Sequence, residues 1–529
     1  MPIDPTDEQK TIIEEHENCV VIARPGSGKT TTMALKIQNI LVDLPFYKGV
    51  IAISFTNKAS NELERKSHQN GADHKNSFFG TIDKFFISEI IFPFGERVFG
   101  KPNKDLVIKK FTEIEDDLQE SIQSSPNNQI KAQLLGTLFG DGVILVEYIG
   151  ILGLYILFKS KACSRYLKAR FSHIIIDEYQ DCDIWQHRLF VKLIEIGLIG
   201  VAVGDIDQSI FAFAEKSPEY LKSLGNRSDF ITHILSKNHR SHISIINYAT
   251  KLISNSFTPI PTGETNVFYS FVDGSEIETA DWLTSTIPTL IKRFNLEKSR
   301  DIGILVKNHQ TGQYIHQNLK LNHKLIINTP LDEDSSLWGS VFRKVLFWSF
   351  NTQETKYELC EHFLNFDYQE EQALIIMEIL SNLENLNMNE LNSSQIIDFF
   401  TNIAQIIYPS AYNDQAITKL KNVLSNEDLL SSFMQPQDDE IQLMTLHKSK
   451  GLEFDLVFHL NLHKFVLPQY NGNYSQDLNL HYVGITRARK GVILCSSTKR
   501  LRNGIPVDAE PSEFLFRNDL GKLRDSLVG

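Results

Sequence analysis

The chain has 529 residues, and at roughly 150 residues per domain that length predicts three to four domains rather than one core. A hydrophobic share of 42% and a charged share of 22% exclude disordered, collagen-like and low-complexity classes. Lys and Arg number 53 against 65 Asp and Glu, so the formal charge of -12 excludes a surface coated in positive charge and confines any nucleic-acid site to a local groove.

The opening segment MPIDPTDEQK has no basic stretch followed by an apolar one and is not expected to be a signal peptide. Cys19 to Ala23 reads as a short apolar strand, a Gly-rich turn follows, Thr31 to Val42 reads as helix, and Gly49 to Phe55 as a second strand. That is a βαβ unit with a parallel sheet. Residues 86 to about 165 lose this rhythm and read as a mostly helical insertion. Within it the run Gly142 to Phe158 has 17 residues and contains Glu147, fewer than the roughly 20 apolar residues of a membrane span. A buried helix is the first reading; a partner-binding helix and a membrane segment are the alternatives. Strands return at His173 to Ile176 and Ile199 to Val203. A second set is expected at Asp301 to Val306, Ile441 to Leu446, Leu456 to Leu460 and Val492 to Cys495, interrupted by a second helical stretch over about 331–436. The five cysteines are scattered and never spaced C-x-x-C, which indicates neither a disulfide framework nor a zinc site and fits a reducing cytoplasm.

PGSGKT, Pro25 to Thr30, lies between the first strand and the first helix. Gly26 and Gly28 let backbone N–H groups approach phosphate oxygens, Lys29 reaches the β and γ phosphates, and the Thr30 hydroxyl suits Mg2+. Ala23 stands at the first glycine of the formal P-loop pattern. HIIIDE, His173 to Glu178, ends a strand in two carboxylates, where Asp177 is expected to hold Mg2+ through water and Glu178 to orient or deprotonate the attacking water.

With DEYQD, Asp177 to Asp181, the chain resembles the UvrD/Rep-type superfamily 1 DNA helicases, and further motifs follow in that family's order. They are TDEQ with Gln9, FTNKA (Phe55 to Ala59), GTIDKF (Gly80 to Phe85), GDIDQSIFAF (Gly204 to Phe213), LSKNHRS (Leu235 to Ser241), TLHKSKGLEF (Thr445 to Phe454) and YVGITRAR (Tyr482 to Arg489). The resemblance implies an α/β architecture of two RecA-like P-loop domains with parallel sheets, each interrupted by a mostly helical insertion. The expected divisions are 1–85 with 166–230, 86–165, 231–330 with 437–529, and 331–436. It implies ATP and Mg2+ as cofactors, adenine reading by Gln9, γ-phosphate sensing by Gln208, and γ-phosphate arginines at Arg240 and Arg487. Nucleotide contacts would extend to Ala23, Arg24, Pro25, Ser27, Thr31, His239, Gly451 and Glu453. Single-stranded DNA would stack on Phe55, Phe211 and Phe213, with Thr56, Asn57, Thr81 and His447 on phosphate or sugar.

The chain departs from the family pattern at four places: Arg24 and Pro25 ahead of the glycines, Asp83 for the usual His, His239 for the Tyr that stacks on adenine, and Ala214 and Glu215 where an Arg follows the aromatics. Forty residues follow Arg489, too few for a fused nuclease. With GTIDKFFISEIIFPF, Gly80 to Phe94, this compactness is most similar to the helicase-like subunits of the Gabija anti-phage defence system. That resemblance implies a bacterial cytoplasmic protein beside an ATPase/TOPRIM nuclease subunit, moving 3′ to 5′ on single-stranded DNA. The alternatives are a regulatory ATPase subunit with little unwinding, a stand-alone repair helicase, and, remotely, a P-loop ATPase that is no helicase.

Overall fold

Uninterrupted runs of β-branched and apolar residues are what a parallel sheet covered on both faces requires, and the chain supplies two sets of them. The computed structural model describes residues 4–54, 57–68, 73–104, 106–208, 217–334, 336–351, 354–364, 366–385, 393–409, 411–470 and 472–527. The first set comprises β1 (Cys19–Ala23), β2 (Gly49–Ile53) and β3 (Phe78–Gly80). After an insertion containing β4 (Val107–Lys109) and β5 (Val143–Leu145) it continues with β6 (Phe171–Ile176), β7 (Ile199–Gly204) and β8 (Ile231–Leu235). Six of these form an all-parallel sheet in the order β3-β2-β6-β7-β1-β8.

The second sheet holds β9 (Val267–Val272), β10 (Ile302–Val306), β11 (His323–Ile326), β12 (Ile441–Thr445), β13 (Phe454–His459) and β14 (Ala488–Ser497). They lie parallel in the order β11-β12-β10-β13-β14-β9, with Asp525–Ser526 extending the β9 edge. The protein is thus α/β with two parallel sheets, each carrying an insertion. The eight strands expected from sequence are present, most with ends shifted by one to a few residues, while β3, β4, β5, β8, β9 and β11 were not expected.

β8 moves a boundary. Sequence reasoning assigned residues from 231 onward to the second lobe, yet β8 pairs with β1 in register Cys19↔Ile231 to Ala23↔Leu235. The crossing between sheets therefore begins after Leu235.

The two insertions differ in how they are held. The segment after β3 shares one continuous core with the first sheet, in which Phe139, Leu152 and Ile156 join Ile51, Ile174 and Phe190. It is not purely helical, because β4 and β5 pair in parallel. The run Gly142–Phe158 divides into β5, a short 3-10 turn and the helix Ile149–Lys159, whose residues are largely buried. The buried reading holds, and no helix among the described residues is long and apolar enough to cross a membrane. The second insertion, by contrast, builds its own core around Trp338, Phe342, Leu380, Phe400 and Leu420. All five cysteines are free and buried.

Candidate nucleotide site between two sheets

β1 ends at Ala23, and the chain turns through residues 24–28 into the helix Lys29–Asp43. Gly26 (φ +70°) and Gly28 (φ +80°) lie in the left-handed region, which a side chain rarely adopts. Space forbids one as well. A Cβ on Gly26 would stand 2.7 Å from Arg240 Cβ and from Asn238 Nδ2, and one on Gly28 would stand 2.9 Å from Gln9 Nε2. The turn thus presents bare backbone at the N-terminus of a 15-residue helix, whose unpaired N–H groups and dipole favour an anion. Ser27 Oγ, buried beside them, has no hydrogen-bond partner among the described residues. Thr30 and Thr31 follow in the first turn of the helix, half-buried, and Arg24 is exposed.

Gln9 closes the back of this turn. Its Oε1 accepts from Thr6 N (2.9 Å) in a capping box, and its Nε2 donates to Ser27 O (3.2 Å). One side chain caps the first helix and braces the phosphate-type loop.

Facing Lys29, β6 ends at Ile176 and Asp177 N–H donates to Ile53 O (2.9 Å), so the carboxylate pair leaves the C-terminal edge of the sheet. Glu178 takes left-handed backbone (φ +54°), uncommon for a residue with a Cβ, and its Oε1 accepts from Lys29 Nζ at 3.0 Å. Gln180 holds the other oxygen of Glu178 through Nε2, and its Oε1 accepts from Asp205 N (3.0 Å).

The electrostatics follow from that crowding. Burial pushes the Lys29 ammonium toward neutrality, but Glu178, Asp177 and Asp205 outweigh it and hold its pKa above the ordinary value. Burial and the neighbouring charge of Glu178 raise Asp177 to about 6. Glu178 moves the other way: burial opposes its charge, yet Lys29, Lys450 and Gln180 bring it down to about 2. Asp205 is pushed up to about 7 by burial. The raised carboxyls of Asp177 and Asp205 mark negative charge crowded into a buried site, which a hard divalent cation would relieve. Thr30 and Asp177 are the oxygen donors able to hold it, and the bare loop with its orphaned serine hydroxyl fits a phosphate chain.

The second sheet reaches this site by two routes. The first is the crossing itself: Asn238 Nδ2 donates to Pro25 O (2.6 Å) and His239 N to Gly26 O (2.8 Å), while Ser241 Oγ donates to Ala488 O (2.7 Å) and His242 N to Arg489 O (2.8 Å). Four residues of the crossing, Asn238, His239, Ser241 and His242, therefore tie the phosphate-type loop to the start of β14. Asn238 Oδ1 also accepts from Arg240 N and Ser241 N, fixing the turn that carries Arg240. The Arg240 guanidinium pairs with Glu453 at 2.5 Å, and His239 is exposed beside the loop.

The second route is Arg487, 3% exposed at the end of the helix Tyr474–Thr486. Its guanidinium donates to Val483 O (3.2 Å), Leu452 O (3.3 Å), Thr486 Oγ1 (3.4 Å) and, across the cleft, Gln208 Oε1 (3.3 Å). Gln208 Nε2 in turn donates to Asp205 Oδ2 (2.9 Å). Burial and the like charge of Arg240 lower Arg487 to about 10, so it stays charged at neutral pH. A buried ion pair closes the cleft further along: Lys450 Nζ meets Asp181 Oδ2 at 2.7 Å and donates to Gln208 O (3.1 Å). Gly451, beside Lys450, is exposed with φ +83°.

Lys29, Asp177, Glu178, Gln208, Arg240, Arg487, Gln9 and the turn residues thus lie together around one cleft. Sequence reasoning missed the carriers of the geometry, namely Asn238, Gln180, Asp205 and the pair Asp181–Lys450. All five lie inside or beside motifs already quoted, but only the fold shows which of them meet.

The expected DNA contacts lie only in part within the described residues. Phe55, Thr56, Phe211 and Phe213 lie outside the described residues, as does the side chain of Asn57, whose backbone opens the helix Asn57–Ser67. Thr81 caps the helix Ile82–Phe85, its Oγ1 accepting from Lys84 N (3.4 Å). It lines a cavity of about 720 Å³ shared by Ser54, Asp177, Trp185 and, from the second insertion, His362. His447 is exposed on the second-sheet side.

Two parallel sheets that close on a phosphate-type loop through arginines from the far side define a two-lobed nucleotide-driven motor. Residues 348–499 match the UvrD-like helicase C-terminal domain and residues 9–214 match an AAA domain. The chain carries a UvrD-like helicase domain and, with Rep and UvrD helicases among its relatives, is an ATP-dependent DNA helicase by class. It is 28% identical to the Gabija protein GajB of Bacillus cereus over 93% of this chain and 95% of that protein. It is 23% identical to the ATP-dependent DNA helicase Rep of Escherichia coli over 94% of this chain and 91% of that one. To DNA helicase II of Haemophilus influenzae it is 22% identical, over 94% and 84% respectively.

Proposed function

We propose that the chain is a motor moving 3′ to 5′ on single-stranded DNA, driven by ATP hydrolysed between the two sheets, and that it serves as the motor or DNA-sensing subunit of an anti-phage defence complex. The observation that carries the motor is the placement of Arg240 and Arg487 against the Lys29, Asp177 and Glu178 cluster. Lys29 and the bare loop residues Gly26 to Gly28 bind the phosphate chain, and Thr30 and Asp177 hold Mg2+. Bound Mg2+ neutralises charge that develops on the transferring phosphoryl oxygens. Glu178, kept ionised, orients the attacking water and accepts its proton. Arg240 leaves Glu453, and Arg487, with Gln208, turns to the γ-phosphate as the cleft tightens. His239 and Gln9 flank the adenine end.

Such arginines contribute about 10³ to 10⁵ in rate, and they act only when the lobes are together, so each turnover couples hydrolysis to the spacing of two strand-gripping surfaces. Phe55, Phe211 and Phe213 stack bases, while Thr56, Asn57, Thr81 and His447 take the backbone.

The defence role rests on the similarity to the Gabija protein GajB along nearly the whole of both chains. The partner is a separate ATPase/TOPRIM nuclease subunit in the bacterial cytoplasm, the compartment that five unpaired cysteines fit. A second reading, a regulatory ATPase that activates the nuclease with little unwinding, is favoured by Ala214 and Glu215 where the family places an arginine. Streptavidin displacement from end-biotinylated single strands tests direction. Release from the 5′ end only is expected; release from the 3′ end only refutes it, and ATP hydrolysis with release from neither supports the regulatory reading.

A further inference from the structure

A second metal-ligating cluster lies apart from the nucleotide site, at the far end of the helix Asn57–Ser67. Glu64 lies in its last turn and His68 directly after its end, four residues on, and His74 arrives from the turn before β3. One ligand atom from each lies within 4.8 Å of the others.

The hydrogen bonds fix what His74 presents. Ser67 Oγ donates its proton to Glu64 O (2.8 Å), so at the 2.9 Å contact with His74 Nε2 it must accept, and Nε2 carries the ring proton. Nδ1 is left with its lone pair, 3.8 Å from Glu64 Oε1, on a side chain only 11% exposed. A lone pair facing a carboxylate across that gap is an arrangement a cation completes. An imidazole whose other nitrogen is held by a backbone-anchored acceptor is how proteins orient metal ligands. The exposed His68 ring stacks on His74 (centroids 3.3 Å, 30°), so it ligates by turning about its side-chain bonds.

The cluster lines a cavity of about 420 Å³ that it shares with Glu354, Glu358 and Glu361 of the second insertion. Glu361 and Glu358 press negative charge on Glu64. Glutamates from both sides meet here, with Lys75 and Lys84 also on the lining, across the junction between the first sheet's lobe and the separately cored second insertion.

We propose that Glu64, His68 and His74 bind one first-row divalent cation of the Zn2+ class, with the remaining coordination position open to the cavity on the Glu361 side. Two imidazoles and one carboxylate suit Zn2+ and leave an exchangeable fourth site. The ion pins the end of the helix that follows FTNKA and offsets the acidic face of the insertion, so it stiffens the joint between the two bodies.

The test is Zn2+ titration of the untagged full-length protein against a chromophoric chelator, with excess Mg2+ occupying the nucleotide site. One equivalent is expected to bind. His68→Gln, at an exposed position, and His74→Gln each weaken it by about tenfold or more, the loss typical when a metal site loses a ligand or its support. His316→Gln, which alters the unrelated His316–His323 pair, leaves the titration unchanged. Added Zn2+ raises the melting temperature of wild type and not of His68→Gln. Wild type that takes up no Zn2+, variants that titrate like wild type, or loss of binding in His316→Gln would each overturn the site.

Discussion

Lys450→Met removes one half of the ion pair that bridges the cleft and takes the Lys450 ammonium away from the buried charge of Asp181, 1% exposed. Lys450 itself is 15% exposed and reaches Asp181 at 2.7 Å across 269 residues of sequence. Removing one partner of such a pair costs about 3 to 5 kcal/mol, mostly from the stranded charge. Both groups regain water when the lobes part, so the cost falls on the closed state. At about 1.4 kcal/mol per factor of ten, closed molecules become roughly 10² to 4 × 10³ times rarer, and kcat falls in step. Asp181→Asn leaves a buried ammonium and should slow turnover less, because Lys450 keeps its bond to Gln208 O. The double variant relieves the stranded charge, so it should be faster than the product of the single effects by about tenfold or more, a coupling of ~1.4 kcal/mol or larger. Steady-state ATPase with saturating single-stranded DNA measures all four proteins. Single variants within about threefold of wild type, or a double variant whose loss equals the product, would show that the bridge does not set closure.

Lys29→Ala and Glu178→Gln should each abolish hydrolysis, the second with nucleotide binding intact by fluorescent-ADP titration; turnover in either contradicts the site. Arg487→Ala should reduce kcat by about 10³ or more with a smaller change in nucleotide affinity, since its strongest interaction belongs to the transition state. An affinity loss as large as the rate loss contradicts that role. Asp177, raised to about 6, gains a proton as pH falls through that value, and a bound cation must displace it. Mn2+ binding to the nucleotide-free protein, followed by electron paramagnetic resonance, should therefore weaken from about pH 7 to about pH 5, approaching tenfold per unit at the acid end. A flat profile would show that Asp177 does not titrate where its surroundings place it.

Much of this was legible in sequence because it is local. A parallel strand buried on both faces is a short apolar run, and the phosphate-type loop announces itself by glycines that only tight backbone needs. What was illegible depends on pairing. β8, with its ITHIL sequence and exposed edge, carries no mark that it belongs beside β1 rather than in the second sheet. Three-residue β3 is too short to show a period. β9, VFYSFV, has a strand's composition, but no motif flanks it. The apolar run Gly142–Phe158 looked uniform but holds a strand and a helix, since hydropathy alone does not separate them when both are buried. At the site, Gln9 was read for one task and performs two in the structure. Asn238, Gln180 and the Asp181–Lys450 pair act through partners 25 to 269 residues away, a distance at which sequence spacing has no voice.

The central claim is that hydrolysis occurs between two lobes whose closure is set by gripping a single strand. The most direct measurement is the ATPase rate of the isolated chain with and without an unstructured oligonucleotide. Strong stimulation that vanishes in Arg240→Ala and Arg487→Ala is the expected result; a rate indifferent to single-stranded DNA would contradict it.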